Sequence, residues 1–244
     1  MFFKKYLQIA YVCSFFCLSY IWTITQTKIK KQYLLLIGLL ISILASCSSE
    51  DITGNGPVVS ETRAVNEFNS IRSEISADIY LTQDVEQSFR LESNANVLAV
   101  LEAKVVNGEL IIESDHNIRG PSRTQTYISA ADFRKISITG SGSLESINCM
   151  DLDDLKLSIS GSANVSFCGT VNQFTSSISG SGNINAYGLN SKNASITIEG
   201  SGNFQISVSD LLTANIYGSG DIQYKGDPSV NSKITGSGKV VKAN

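Results

Sequence analysis

The sequence predicts an all-β fold, a parallel β-helix with coils of about 18–21 residues, and three observations carry that prediction. First, one motif recurs six times in the last 110 or so residues: Ile, any residue, Gly-Ser-Gly or a near copy, a polar residue, then an apolar one. Second, the leading glycines Gly140, Gly161, Gly180, Gly200, Gly218 and Gly236 are spaced 21, 19, 20, 18 and 18 residues apart. A period near 20 is the signature of a solenoid. Third, the flanks alternate in polarity, with Leu155, Leu157 and Ile159 against Lys156 and Ser158. A period of two belongs to strands.

Each copy therefore reads as strand, Gly-Ser-Gly corner, short strand, second corner. The second corner carries Gly169, Gly188 and the Gly226-Asp227-Pro228 turn. Equivalent residues should stack about 4.8 Å apart along the axis. The Ile two places before each corner glycine forms one internal ladder. Leu144, Val165, Ile184, Phe204, Ile222 and Val240, four places after it, form a second. The leading glycine calls for positive φ or a corner too tight for a Cβ. The third corner position holds Ala163 in one copy, so it demands smallness rather than a left-handed backbone. The residue after it is Ser143, Asn164, Asn183, Asn203, Asp221 or Lys239. Such a polar ladder bonds the turn together; a ligand-binding ladder is the lesser alternative.

The first 46 residues stand outside this fold. Lys28, Lys30 and Lys31 precede an apolar run over 33–45 that ends in Leu44-Ala45-Ser46-Cys47, a signal peptide with a lipobox and Cys47 as the lipidated residue. Residues 1–27 hold a second apolar stretch, either a transmembrane helix or the product of a start placed too early. Residues 47–65 read as a lipidated linker whose Glu50-Asp51 pair resembles the export signal of surface-exposed lipoproteins. The remaining domain, 66–244, begins with a different texture. Short strands are expected over 68–72, 77–82 and 88–92, then a helical turn and a strand within 97–106. Asn107-Gly108 signals a hairpin into a strand over 109–113. A loop over 115–124 and an extended stretch over 125–128 follow. Ile75-Ser76-Ala77-Asp78-Ile79 is a degenerate corner, so the solenoid is expected to begin there.

These features together resemble the auto-transporter adhesin family built on the head GIN domain, a domain of unknown function. The resemblance rests on Phe68-x-x-Ile71, the run from Ala77 to Gln83, Val105-x-Asn107-Gly108-x-Leu110-x-Ile112, the Gly-Ser-Gly copies, and the closing run from Leu212 to Pro228. It covers roughly residues 64–242. It implies a right-handed β-helix and leaves the function open.

Composition narrows the chemistry. The first 46 residues hold five lysines and no acid, so the rest carries 14 basic and 22 acidic residues, a net charge of −8. That argues against nucleic acid as a partner. The acidic run Asp151-x-Asp153-Asp154 lacks the ligand spacing of calcium loops and reads as a solvated turn. His116, the only histidine, has no thiol beside it in sequence. No metal, cofactor or catalytic group is expected. Cys149 and Cys168 stand one coil apart; an oxidising envelope permits a disulfide, but two buried thiols are the simpler expectation.

The expected function is a surface-anchored, adhesin-like binding module of the outer membrane, touching a glycan or protein partner through Tyr187, Tyr217 and Tyr224. A structural or assembly role in the envelope is the alternative, and a polysaccharide-active β-helix enzyme the third. Oligomeric state is not legible.

Overall fold

The computed structural model describes residues 50–120 and 123–243. The segment read as a signal peptide, the apolar stretch before it and Cys47 lie outside the described residues. The N-terminal half supplies β1 (Asp51–Thr53), β2 (Val58–Thr62), β3 (Ser70–Ser73), β4 (Ala77–Gln83) and β5 (Ser88–Asn94). One helical turn, α1 (Ala95–Leu98), leads into β6 (Leu101–Val106), β7 (Glu109–Ser114), β8 (Asn117–Arg119) and β9 (Gln125–Ala130). The repeat region supplies β10 (Lys135–Gly140), β11 (Gly142–Ser146), β12 (Met150–Gly161), β13 (Asn164–Gly180), β14 (Asn183–Gly200) and β15 (Asn203–Gly218). It ends in β16 (Ile222–Lys225), β17 (Ser229–Gly236) and β18 (Val240–Lys242).

Parallel pairing stacks these strands into a β-solenoid. The first face runs β7-β3-β10-β12-β13-β14-β15-β17. The second runs β9-β4-β11-β13-β14-β15-β16-β18. β12 to β15 are long because each continues around a bend. Their Met150–Leu152, Gly169–Val171 and neighbouring segments make a shorter third face.

Both predicted ladders are present in register. Ile138, Ile159, Ile178, Ile198, Ile216 and Ile234 pair rung to rung, as do Leu144, Val165, Ile184, Phe204, Ile222 and Val240. A fully buried side chain of this kind contributes roughly 1.5–3 kcal/mol as an upper estimate. Large residues face small ones: Phe174 lies beside Ala194 in its column, and its ring meets that of Phe204 across the coil at 6.0 Å. Ile234 departs from the ladder's burial, at 43 % exposed, because β17 is the outermost rung and covers nothing on its far side.

The corners explain the glycines. All six leading glycines have φ between 119° and 148°. A Cβ on Gly180 would lie 2.3 Å from the carbonyl oxygen of Gly161 one coil below. The position therefore excludes a side chain twice, by φ and by the closeness of the stacked backbone. Among the described third positions φ is positive at Gly142 alone, and not at Gly182, Gly202, Gly220 or Gly238. There a Cβ would again meet a carbonyl of the neighbouring coil. Smallness is the general requirement, as Ala163 indicates.

The N-terminal half holds what the repeat could not reveal. Coils are not stacked in chain order. β4 lies between β9 and β11, and β3 between β7 and β10. The chain thus builds its second coil first, returns to lay the outermost coil with β7 and β9, and crosses over residues 131–134 to the third. Gln83 clamps this crossing: its amide donates to the carbonyls of Ala131 and Asp151 and accepts from the N–H of Asp151 at 2.7 Å. The degenerate corner is a real rung, with Ala77, Asp78 and Ile79 paired to Gly142, Ser143 and Leu144. β5 and β6 add to the outermost coil in antiparallel sense, β2 adds antiparallel to β5, and together they end the parallel stack at this end. The Asn107-Gly108 hairpin forms with both residues at positive φ, 52° and 76°.

Two expectations are corrected. The segment read as a linker carries β1 and β2, and β1 pairs with β8 inside the stretch read as a loop. Arg63 fixes the end of this strap by donating to the carbonyls of Leu98 and Leu101 at 2.8 and 2.6 Å. Alternation is too short over three to five residues to mark such strands in sequence. Second, Cys149 and Cys168 are not buried thiols. They are disulfide-bonded, with Cα atoms 4.5 Å apart, and Cys149 is exposed. Cys149 stands nine places after its corner glycine, Gly140, and Cys168 seven after Gly161; Ile147 and Asn148 bulge out of the coil and absorb this two-residue difference.

Candidate functional site

On the second face alternate residues point outward, and stacking turns two of these positions into columns that run from coil to coil. One column runs Gln125, Asp78, Ser143, Asn164, Asn183, Asn203. Its members bond to one another. Ser143 donates to Asp78 at 2.7 Å, the Asn183 amide to Asn164 at 3.2 Å, and the Asn203 amide to Asn183 at 3.1 Å. Asn203 Oδ1 then accepts the N–H of Asp221, and Asp221 Oδ1 that of Lys239. The ladder is structural, as its turn chemistry suggests. Each asparagine within it still keeps hydrogen-bonding capacity, since an amide has two donors and two acceptor lone pairs.

The other column begins with Arg90, Tyr127 and Tyr80. It continues through Glu145, Ser166, Asn185, Gln205 and Gln223, one residue per coil. The Tyr80 and Tyr127 rings stack at 4.9 Å with 22° between their planes, and the Arg90 guanidinium lies 3.7 Å over Tyr127. Between the two columns, from Ser143 to Gln223, runs an open groove of about 630 Å³. Its rim is mostly uncharged amide and hydroxyl. Near its aromatic end Arg90 pairs with Glu92 and Arg123 with Asp78, and the Glu145 carboxylate lines the groove itself.

The three tyrosines expected to make contacts do not share a surface. Tyr187 borders the groove: its hydroxyl donates to Gln223 at 3.2 Å, Lys225 lies over its ring, and burial raises its pKa above the ordinary phenol value. Tyr217 is on the first face, beside Glu199 and below Lys233. Tyr224 occupies an inward column next to Ile206 and packs against the core. Sequence reasoning missed Tyr80 and Tyr127. The parity of both is readable from alternation, but their adjacency requires that β9 pair with β4, which are 42 or more residues apart.

Other candidates are weaker. The first face presents Ser and Thr, with Ser177 bonding Ser158, and carries Lys and Glu among them. On the third face a cleft of about 580 Å³ mixes Asp151, Lys192, Lys225 and Asp227 with hydroxyls. Within the acidic run, Asp151 accepts from Thr170 and Asp153 from Asn172 on the next coil, so these oxygens bind the stack together. Among the described residues no three His, Cys, Asp or Glu side chains are grouped as a metal would require. His116 lines a small cleft with Glu74 and Arg119.

Comparison with known proteins adds to this geometry. The family model described as "Putative auto-transporter adhesin, head GIN domain" matches residues 67–228. A "putative adhesin" from Bacteroides fragilis has a similar structure, with TM-score 0.65 and 21% identity over 79% of this chain and 100% of that one. A "putative lipid binding protein" from Parabacteroides distasonis is similar at TM-score 0.52 and 23% identity, over 80% of this chain and 100% of that one. At these identities the likeness is one of fold. None of the curated proteins compared matches the chain.

Proposed function

The chain belongs to the auto-transporter adhesin family with the head GIN domain, and from that premise we propose that it is a non-catalytic, adhesin-like binding module of the cell envelope. We read Cys47 as its lipid anchor at the outer membrane and the groove of the second face as its contact surface, with a neutral glycan as ligand. The groove carries this reading. It offers amides and hydroxyls at every coil, with one carboxylate, Glu145, at the end beside the stacked aromatic rings, where Arg90 pairs with Glu92 and Arg123 with Asp78. That chemistry suits a hydroxyl-rich, uncharged ligand, while the net charge of −8 over residues 47–244 disfavours a polyanion. Lipidation would leave a short tether, since three residues separate Cys47 from β1. A lipid-binding role would need an apolar cavity, and the interior columns here are filled by Phe89, Phe133, Phe174 and Phe204.

The test is a glycan array probed with the mature protein, followed by Asn185→Ala, Gln205→Ala and Gln223→Ala together. Retention on the best glycan should fall at least tenfold with the melting temperature unchanged. Glycan binding indifferent to these changes would remove the groove, and binding confined to protein probes would replace the glycan. Acyl-chain mass on Cys47, lost in Cys47→Ser, tests the anchor.

One observation favours the structural alternative. Val230 and Ile234 on the last rung are 37 % and 43 % exposed and could seat another molecule. Reversible, concentration-dependent association in sedimentation without any glycan would support that role.

A further inference from the structure

We propose that the groove takes a linear, neutral polysaccharide running along the solenoid axis, one sugar per coil, with its terminal sugar stopped against Tyr80. The inference rests on the glycan reading of the groove and goes further in fixing the ligand's shape, direction and end.

Direction follows from the symmetry of the surface. Along the axis amide chemistry repeats over the middle coils, with Asn164, Asn183 and Asn203 in one column and Asn185, Gln205 and Gln223 in the other. Along a strand, by contrast, outward positions alternate with buried ones and stop at the corner glycine. A polymer of identical units meets identical partners only if it follows the columns. The spacing agrees, since coils repeat at about 4.8 Å, comparable to the length of one pyranose unit.

The hydrogen-bond count agrees as well. Asn183 spends one N–H on Asn164 and one lone pair on Asn203. One N–H and one lone pair are left on Asn183 and on Asn203, and both N–H groups and one lone pair on Asn164. A sugar hydroxyl both donates and accepts, so it matches that remainder on the three asparagine coils. Ladder bonds also hold the amides in place before a ligand arrives, which reduces the entropy lost on binding.

The end follows from the stack. Arg90, Tyr127 and Tyr80 lie one behind another in a single column, so Tyr127 covers one face of Tyr80. The other face is turned toward Glu145 and the groove. Beyond Glu145 the next side chain of the column is the Tyr80 ring. A chain passing through would collide with it, whereas a chain terminus can rest on its face.

The experiment titrates the full mature protein with linear gluco-, manno- and xylo-oligosaccharides of two to eight units, with cyclic gluco-oligosaccharides as probes without an end. Affinity should rise with length to about five units, the number of coils from Glu145 to Gln223, and then level off. Cyclic probes should bind at least tenfold more weakly than linear ones of equal size. Tyr80→Leu, which preserves packing bulk, should cost about tenfold with linear probes and abolish the linear-over-cyclic preference. Tyr217→Ser, on the first face, should change neither. Length-independent binding, or equal binding of cyclic and linear probes, overturns this arrangement and leaves the glycan reading standing. Failure of every oligosaccharide and of the array to bind overturns both.

Discussion

At Gly180 the fold turns on the absence of one atom. Valine there would suffer both a positive φ and a clash with the carbonyl of Gly161, and the stacked backbone below cannot retreat. Gly180→Val should destabilise by roughly 3–5 kcal/mol. Ser181→Ala next door, at an exposed position whose N–H still bonds Gly161, should stay within about 0.5 kcal/mol. Thermal melts of the two variants check the contrast, and equal melting temperatures would refute the corner argument. Ser176 gives a prediction of opposite sign. It stands in an inward column between Leu157 and Ile196, and its buried hydroxyl has no hydrogen-bond partner. Since an unmet buried hydroxyl costs about 1–3 kcal/mol, Ser176→Ala should raise stability by about 1 kcal/mol, seen as a higher melting temperature.

Among the elements, the junction between β11 and β12 bears the most constraint. There the third coil hands the chain to the fourth, and the Cys149–Cys168 bond and the Gln83 clamp lie side by side. The disulfide closes a loop of 19 residues, for which chain entropy gives about 3 kcal/mol. The double variant Cys149→Ser, Cys168→Ser should lose about that much in chemical denaturation, and wild-type protein melted with reductant should lose a similar amount. The asparagine ladder is a second cooperative element. Asn183→Ala removes two side-chain bonds at once and should cost about 1–2 kcal/mol, more than an exposed Ser177→Ala.

The whole solenoid has unlike ends. One is ended by antiparallel strands and α1, as terminal repeats require. At the other, β17 and β18 each pair on one side, and Val230 and Ile234 stand partly open. Lysines surround that edge: Lys233, Lys239 and Lys242. Charged side chains, lysine above all, discourage edge-to-edge pairing. Replacing Lys233 and Lys239 by Thr should therefore increase self-association, measured by light scattering against concentration, and added salt should act in the same direction on the wild type. A scattering mass unaffected by either would show that the lysines do not guard the edge.

What the sequence determined by itself is everything that repeats. Six corners in register, two inward ladders, the polar ladder and the hairpin at Asn107-Gly108 are local patterns, and each coil is confirmed by its copies. Ile75 to Ile79 was legible as a rung for the same reason. What only the tertiary structure decided is everything that depends on which coil lies beside which. The order of the first coils, the pairing of β1 with β8 and the meeting of Tyr80 with Tyr127 bring together residues far apart in the chain, with no periodic partner to announce them. The tyrosines named from sequence scattered over different surfaces because alternation gives a side chain's parity but not its neighbours. A repeat fixes its own interior by self-similarity. A cap is unique, and its pairing follows from the need to end the stack, which is a property of the assembled fold.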